Sequence, residues 1–118
     1  MTIIILSHGS RGSKGNDLSK EVAEELAKRL ERKAVFANLQ LSEPYLIDVV
    51  KELYEKGERE FIIHPFFLHE GIHVTDDIPK EIEELQKEYQ DASFKITPIT
   101  GKSRFIKEAA FNIVSGEL

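Results

Sequence analysis

The sequence predicts an α/β protein: a small doubly wound sheet of four parallel strands with helices on both faces, in the order βαβαβαβα. Three observations predict it. Short continuous apolar runs recur four times, as strands buried on both faces require. Segments with apolar residues at helical spacing separate them. No linker, repeat or low-complexity stretch breaks the alternation, so the 118 residues read as one domain, 1–118.

The first strand is Thr2–Ser7 (TIIILS), followed by a polar, glycine-rich stretch, His8–Asn16. Leu18, Val22, Leu26 and Leu30 then recur at helical spacing, with Ala23 and Ala27 beside them. Lys28, Arg29, Arg32 and Lys33 put positive charge where the helix dipole favours it. Ala34–Leu41 reads as the second strand. Ser42 reads as an N-cap, with Pro44 in the first turn of a helix that runs through Leu46, Val49, Val50 and Leu53 and stops at Gly57. Glu60–Leu68 is the third strand. Thr75–Asp77 opens a third helix, with Pro79 near its start, running through Ile82 and Leu85 to about Gln90. Ser93–Ile99 is the fourth strand. Lys102–Val114 is the last helix, with Phe105, Ile106, Ala109, Ala110 and Ile113 on its apolar side. Four strands is few for such a sheet, and a second copy, as a homodimer, is one way to complete it.

Composition excludes several functions. The formal net charge is −5 and the pI about 5.4, against the basic face that a nucleic acid or an anionic membrane requires. There is no Cys, hence no disulfide framework, Cys-based zinc site or thiol nucleophile. No apolar run approaches the ~18 residues of a membrane span, and the N-terminus lacks a basic n-region. A soluble cytoplasmic protein is the expectation.

Ligands of open parallel sheets bind beyond the C-terminal ends of the strands. His8-Gly9-Ser10-Arg11 follows strand one, Ser42-Glu43-Pro44 strand two, His69-Glu70-Gly71-Ile72-His73 strand three and Thr100-Gly101-Lys102 strand four. His64 alone among the histidines lies inside a strand, where a satisfied or edge-facing core role is expected. In the flavodoxin-like order 2-1-3-4, strands one and three are neighbours at the switch point, and His8 and His73 face one crevice.

Literal motifs are weaker than this convergence. His69–His73 matches H-E-x-x-H, but that zinc signature works only on a helix, and here it follows a strand and contains a Gly. A phosphohistidine nucleophile would need Arg where Ser7 stands. The HGSRGSKG loop, with Arg11 and Lys14, could cradle a phosphate, yet it lacks both the P-loop ending and the G-x-G-x-x-G spacing. Taken singly, Glu43 is an ordinary first-turn dipole partner and Arg11 a solvated charge.

Three segments taken in order (SHGSRG after strand one, QLSEP after strand two, HPFFLHEGIHVTDDIP after strand three) resemble the small, short CbiX-type sirohydrochlorin cobaltochelatases, a group of class II tetrapyrrole chelatases. The resemblance implies insertion of a divalent cation into sirohydrochlorin, a tetrapyrrole with eight carboxylates, by a homodimer with a chelatase-like fold. It implies that His8 is proton acceptor and metal ligand, that His73 is the second metal ligand, and that Glu43 is a substrate-site carboxylate. Leu68, His69, Glu70, Gly71, Ile72 and His73 would line the tetrapyrrole site, with Gly9, Ser10 and Arg11 opposite. His69 and Glu70 are extra polar groups in a loop that is often more apolar in that family.

The residue types suit the reaction. Metallation removes two pyrrole N–H protons and strips water from a cation; neutral imidazole ligates Co²⁺, Ni²⁺ and Fe²⁺ and accepts protons near neutrality. Phe67, Leu68 and Ile72 can wall an apolar ring, while backbone N–H groups of Gly9 and Gly71, with Arg11 or Lys14, can meet its carboxylates. No tightly bound cofactor is expected. The metal is a substrate: Co²⁺ on family grounds, with Ni²⁺ or Fe²⁺ open. Two other readings stay open, a non-catalytic metal or tetrapyrrole carrier and a phosphate- or nucleotide-binding module built on the glycine loop.

Overall fold

The computed structural model describes residues 1–9 and 16–118, and the side chains of these except residues 72–75. Within them the chain runs β1 (Thr2–Ser7), α1 (Asp17–Leu30), β2 (Lys33–Asn38), α2 (Leu46–Glu55), β3 (Glu60–Pro65), α3 (Ile72–Glu88), β4 (Ser93–Ile96), a 3₁₀ turn (Thr100–Lys102) and α4 (Phe105–Ser115). The four strands are parallel in the order β2-β1-β3-β4, as the sequence predicts. β1 is central, and Ile4, Ile5 and Leu6 are fully buried. Each such side chain contributes roughly 1.5–3 kcal/mol through its removal from water.

The two faces are packed unequally. Ile4, Leu6, Phe61 and Ile63 point to one side, where α2 and α3 cover them with Leu46, Val50, Leu53, Ile78, Ile82 and Leu85. Ile3, Ile5 and Ile62 point to the other, where α1 brings Ala23, Val22 and Leu26. Leu18, expected inside, is exposed, and Ser19 takes the inward position one residue on. Its hydroxyl meets that of Ser7 at 2.7 Å, fastening α1 to the end of β1.

Element ends differ from expectation where loop bonding overrides local pattern. β2 stops at Asn38, not Leu41. The next amides turn toward β1 (Leu39 N–H to the Ser7 carbonyl, 2.8 Å; Gln40 N–H to that of His8, 3.0 Å), and Leu41 takes a positive φ of 75°. α2 starts at Leu46, so Ser42 and Pro44 belong to the loop rather than to a cap and first turn. β3 ends at Pro65, which cannot donate to a ladder. β4 ends at Ile96 instead of Ile99. α3 begins at Ile72, earlier than Thr75, and Pro79 sits inside it.

The last helix departs most. It starts at Phe105 and its predicted apolar side is not packed: no residue of α4 is buried, and Phe105, Phe111, Ile113 and Val114 are each more than half exposed. The radius of gyration is 15.1 Å with extents of 53 × 33 × 28 Å, against roughly 13.5 Å for a compact chain of this length.

Candidate functional site

The four strand-end loops abut one another along the C-terminal edge. Between β1 and β2 the contact is backbone on backbone. Gly9 has a φ of +100°, and a Cβ there would stand 2.0 Å from the Gln40 carbonyl oxygen, so no other residue fits this turn. Between β1 and β3, Phe66 N–H donates to the Leu6 carbonyl at 2.7 Å. Between β3 and β4, Gly101 N–H donates to the Phe67 carbonyl at 2.9 Å, and a Cβ on Gly101 would collide with the Leu68 carbonyl at 1.8 Å.

His8 leaves the end of β1 half-exposed and stands edge-on to Phe67, ring centroids 4.7 Å apart at 70°. The imidazole thus sits at the switch point between β1 and β3, against an aromatic wall from the β3 loop. Leu68, His69, Glu70 and Gly71 are exposed beyond that wall. Glu70 meets Lys102 at 3.8 Å, a loose exposed pair that bridges the third and fourth loops. Helix α3 starts one residue before His73, which puts His73 on its first turn rather than in the loop. The side chains of Ile72 and His73 lie outside the described set, as do Ser10, Arg11 and Lys14 altogether. Among the described residues no three His, Asp or Glu side chains converge in a way that would hold a metal.

Glu43 is exposed, on the loop after β2. Its carbonyl, not its carboxylate, is the anchored group, accepting from Asn16 Nδ2 at 3.1 Å. No hydrogen bond or ion pair links its carboxylate to His8 among the described residues. The residue that sequence reasoning missed is Asn38. It is fully buried, and its Nδ2 lies 3.0 Å from Asn16 Oδ1, 3.1 Å from the Ser42 carbonyl and 3.2 Å from Ser42 Oγ. Asn38 N–H also donates to the Pro44 carbonyl at 2.7 Å. One amide thereby sets the Ser42–Pro44 loop against the start of α1. The available signal was an amide directly after the apolar run 34–37.

A second missed group is Glu81 on α3. With Asp77, Lys80, Gln40 and Ile47 it lines a cleft of about 360 Å³ between α3 and the loop after β2. Burial, and then the nearby Asp77, raise its carboxyl above the usual range. His64, by contrast, is accounted for as expected. Its Nδ1 and Nε2 lie 2.7 Å from the hydroxyls of Thr97 and Thr100. Thr97 donates its proton to the Pro98 carbonyl, so His64 Nδ1 donates to Thr97 and Nε2 accepts from Thr100. Burial lowers its pKa, and the contact to the Pro98 backbone opposes this.

Comparison with known proteins bears on what such a site does. The sequence model of the CbiX family matches residues 2–116. The chloroplastic sirohydrochlorin ferrochelatase of Arabidopsis thaliana is 32% identical over 104 residues, which is 84% of this chain and 44% of that protein. The sirohydrochlorin cobaltochelatase of Methanocaldococcus jannaschii is 34% identical over 83 residues, 66% of this chain and 55% of that one. The chain thus spans about half the length of the curated relatives it matches. A crystal structure of a cobalamin (vitamin B12) biosynthesis CbiX protein from Marinobacter aquaeolei VT8 superposes with a TM-score of 0.85 at 29% identity, covering 98% of this chain and 95% of that one. The sirohydrochlorin chelatase SirB of Bacillus subtilis subspecies spizizenii, solved with cobalt, gives a TM-score of 0.85 at 20% identity over 98% of this chain and 50% of its own, a likeness of fold.

Proposed function

The chain belongs to the CbiX family, and from that premise we propose that it is a chelatase inserting a divalent cation into sirohydrochlorin, with Co²⁺ the preferred metal. The observation that carries the reading is the half-exposed His8 imidazole at the β1–β3 switch point, packed edge-on against Phe67. An imidazole so placed can do both things metallation asks of a protein. It ligates a borderline-soft cation that must shed water, and it takes a proton from a pyrrole nitrogen. Phe67 holds the ring orientation and, with exposed Leu68, offers an apolar wall to a flat macrocycle. His73, from the first turn of α3, is the second ligand in this reading. Glu43 is a substrate-site carboxylate held by a loop that Asn38 fixes in place. Arg11, Ser10 and Gly9 meet the carboxylates of the tetrapyrrole. The metal is a substrate, and no resident cofactor is invoked. The working unit is a cytoplasmic homodimer.

The test is anaerobic incubation of the protein with sirohydrochlorin and Co²⁺, Ni²⁺ or Fe²⁺ in turn, following the absorbance change on metallation. Acceleration over the protein-free blank, proportional to enzyme and greatest with Co²⁺, is expected. His8→Ala should lower it by about 10²–10⁴-fold, the usual contribution of a proton acceptor, with an unchanged circular dichroism spectrum. Undiminished activity in His8→Ala would overturn the assigned roles. Tight binding of metal or pigment without turnover would identify a carrier instead.

A further inference from the structure

The proposed substrate is a polyanion, and the edge that would meet it carries few fixed cations. The described parts of the four strand-end loops are residues 8–9, 16, 39–45, 66–71 and 97–104. Among these residues the only lysine or arginine side chains are Lys102 and Arg104. Arg104 is engaged with its own helix, its guanidinium carbon 4.9 Å from the centre of the Phe105 ring. Lys102 reaches to the β3 loop, where it meets Glu70.

The backbone under Lys102 is fixed against the apolar wall. Lys102 closes the 3₁₀ turn, its N–H donating to the Ile99 carbonyl at 3.1 Å. Gly101 before it donates its N–H to the Phe67 carbonyl and presses on the Leu68 carbonyl so closely that a Cβ has no room. Phe67 in turn stands edge-on to His8. The root of the Lys102 side chain therefore holds a set position relative to the wall and the imidazole, while its outer part is in solvent. The Glu70 pair does not account for this lysine. Its 3.8 Å separation exceeds the roughly 2.7–2.9 Å of a charge-assisted hydrogen bond, and both side chains are more than half exposed, so the pair adds little to stability. A pair so loose exchanges readily for another carboxylate.

We propose that Lys102 binds a peripheral carboxylate of the tetrapyrrole, and that Glu70 is the placeholder it leaves. This rests on the chelatase reading above and adds to it a substrate contact from the fourth strand end. With the macrocycle against Phe67 and Leu68, Lys102 Nζ donates to a carboxylate on the rim of the ring, away from the pyrrole nitrogens where the metal enters. The ring excludes part of the water there, so the new pair is stronger than the one it replaces. Glu70 competes with the substrate for the lysine, and the two residues together set affinity without entering the chemistry.

Fluorescence titration with metal-free sirohydrochlorin, with metallation kinetics alongside, tests this on the whole chain. Lys102→Gln should raise Kd and KM by about three- to tenfold. Its kcat should stay within about twofold, since binding lost equally from ground and transition states appears in KM. Lys102→Arg should return Kd to within about twofold of the wild type. Lys33→Gln, at the start of β2 and so at the opposite edge of the sheet, makes the same change in net charge and should leave Kd within about 1.5-fold. Glu70→Gln should tighten binding by about twofold, and that gain should vanish in the Lys102→Gln background. Equal losses in Lys102→Gln and Lys33→Gln, or a Glu70→Gln gain of the same size in both backgrounds, would mean that net charge acts without a contact and would overturn the assignment. A fall in kcat with KM unchanged would overturn it too. A wild type that binds sirohydrochlorin without turnover would end the chelatase reading, while the Kd comparison would still decide the Lys102 contact. A wild type that binds none would overturn both.

Discussion

His64 shows how a single residue can be chemically conspicuous and still structural. It lies in the strand beside the one that His8 follows, yet both its nitrogens are engaged by threonines. Burial disfavours its charged form, so its folded pKa is below the ordinary histidine value of 6.5. The folded state then binds fewer protons than the unfolded state as pH falls through and below 6.5, and stability falls with pH across that window. Above it both states are neutral and the contribution is flat. Urea midpoints measured from about pH 7.5 to about pH 5.5 should therefore decline in the wild type, and less steeply in His64→Gln. Equal slopes would show that another group governs this range. The place of His8 just past β1 was legible in the sequence because it is a polar residue directly after an apolar run. Asn38 was not, because its importance comes from Asn16 and the Ser42 loop, contacts that no local pattern encodes.

At the scale of elements, the four strands and four helices of the described residues were legible, and the discrepancies gather at the C-terminal ends of the strands and the starts of the helices that follow, beside the candidate site. Local pattern extends β2 through apolar Leu39 and Leu41, but tertiary bonds to the Ser7 and His8 carbonyls turn the chain away. Pro79 suggested a helix start because proline suits a first turn; the helix instead begins seven residues earlier and carries the proline inside. That shift bears on the H-E-x-x-H string. His69, Glu70 and Gly71 precede the helix, so the two histidines do not share a helical face. Glu70 is not positioned as the base of a zinc hydrolase, and its partner is Lys102, in an exposed pair of small energetic weight. Glu70→Ala should keep metallation kcat within about threefold, where removing a true general base would cost about 10²–10⁴-fold. A loss of the larger size in the anaerobic metallation assay would place that carboxylate in the chemistry.

For the whole molecule the decisive quantity is charge. The chain carries −5, and a dimer carries twice that, while the proposed substrate is a polyanion. Association must overcome long-range repulsion before any local contact forms. The two act over different distances: the Debye length is about 30 Å at 0.01 M salt and about 10 Å at 0.1 M, so added salt removes the distant repulsion first. Contacts within a few ångströms, to backbone N–H groups and a nearby cation, are screened much less. Binding of metal-free sirohydrochlorin, followed by its fluorescence, should therefore tighten by about twofold or more between 0.01 and 0.1 M salt. Omitting the metal matters, because salt weakens the attraction of a divalent cation to an acidic protein and would mask the trend. Affinity that falls steadily over the same range would mean that a local cationic cluster, rather than the net charge, dominates the approach. The glycine-rich segment with Arg11 and Lys14 would then be the first place to substitute.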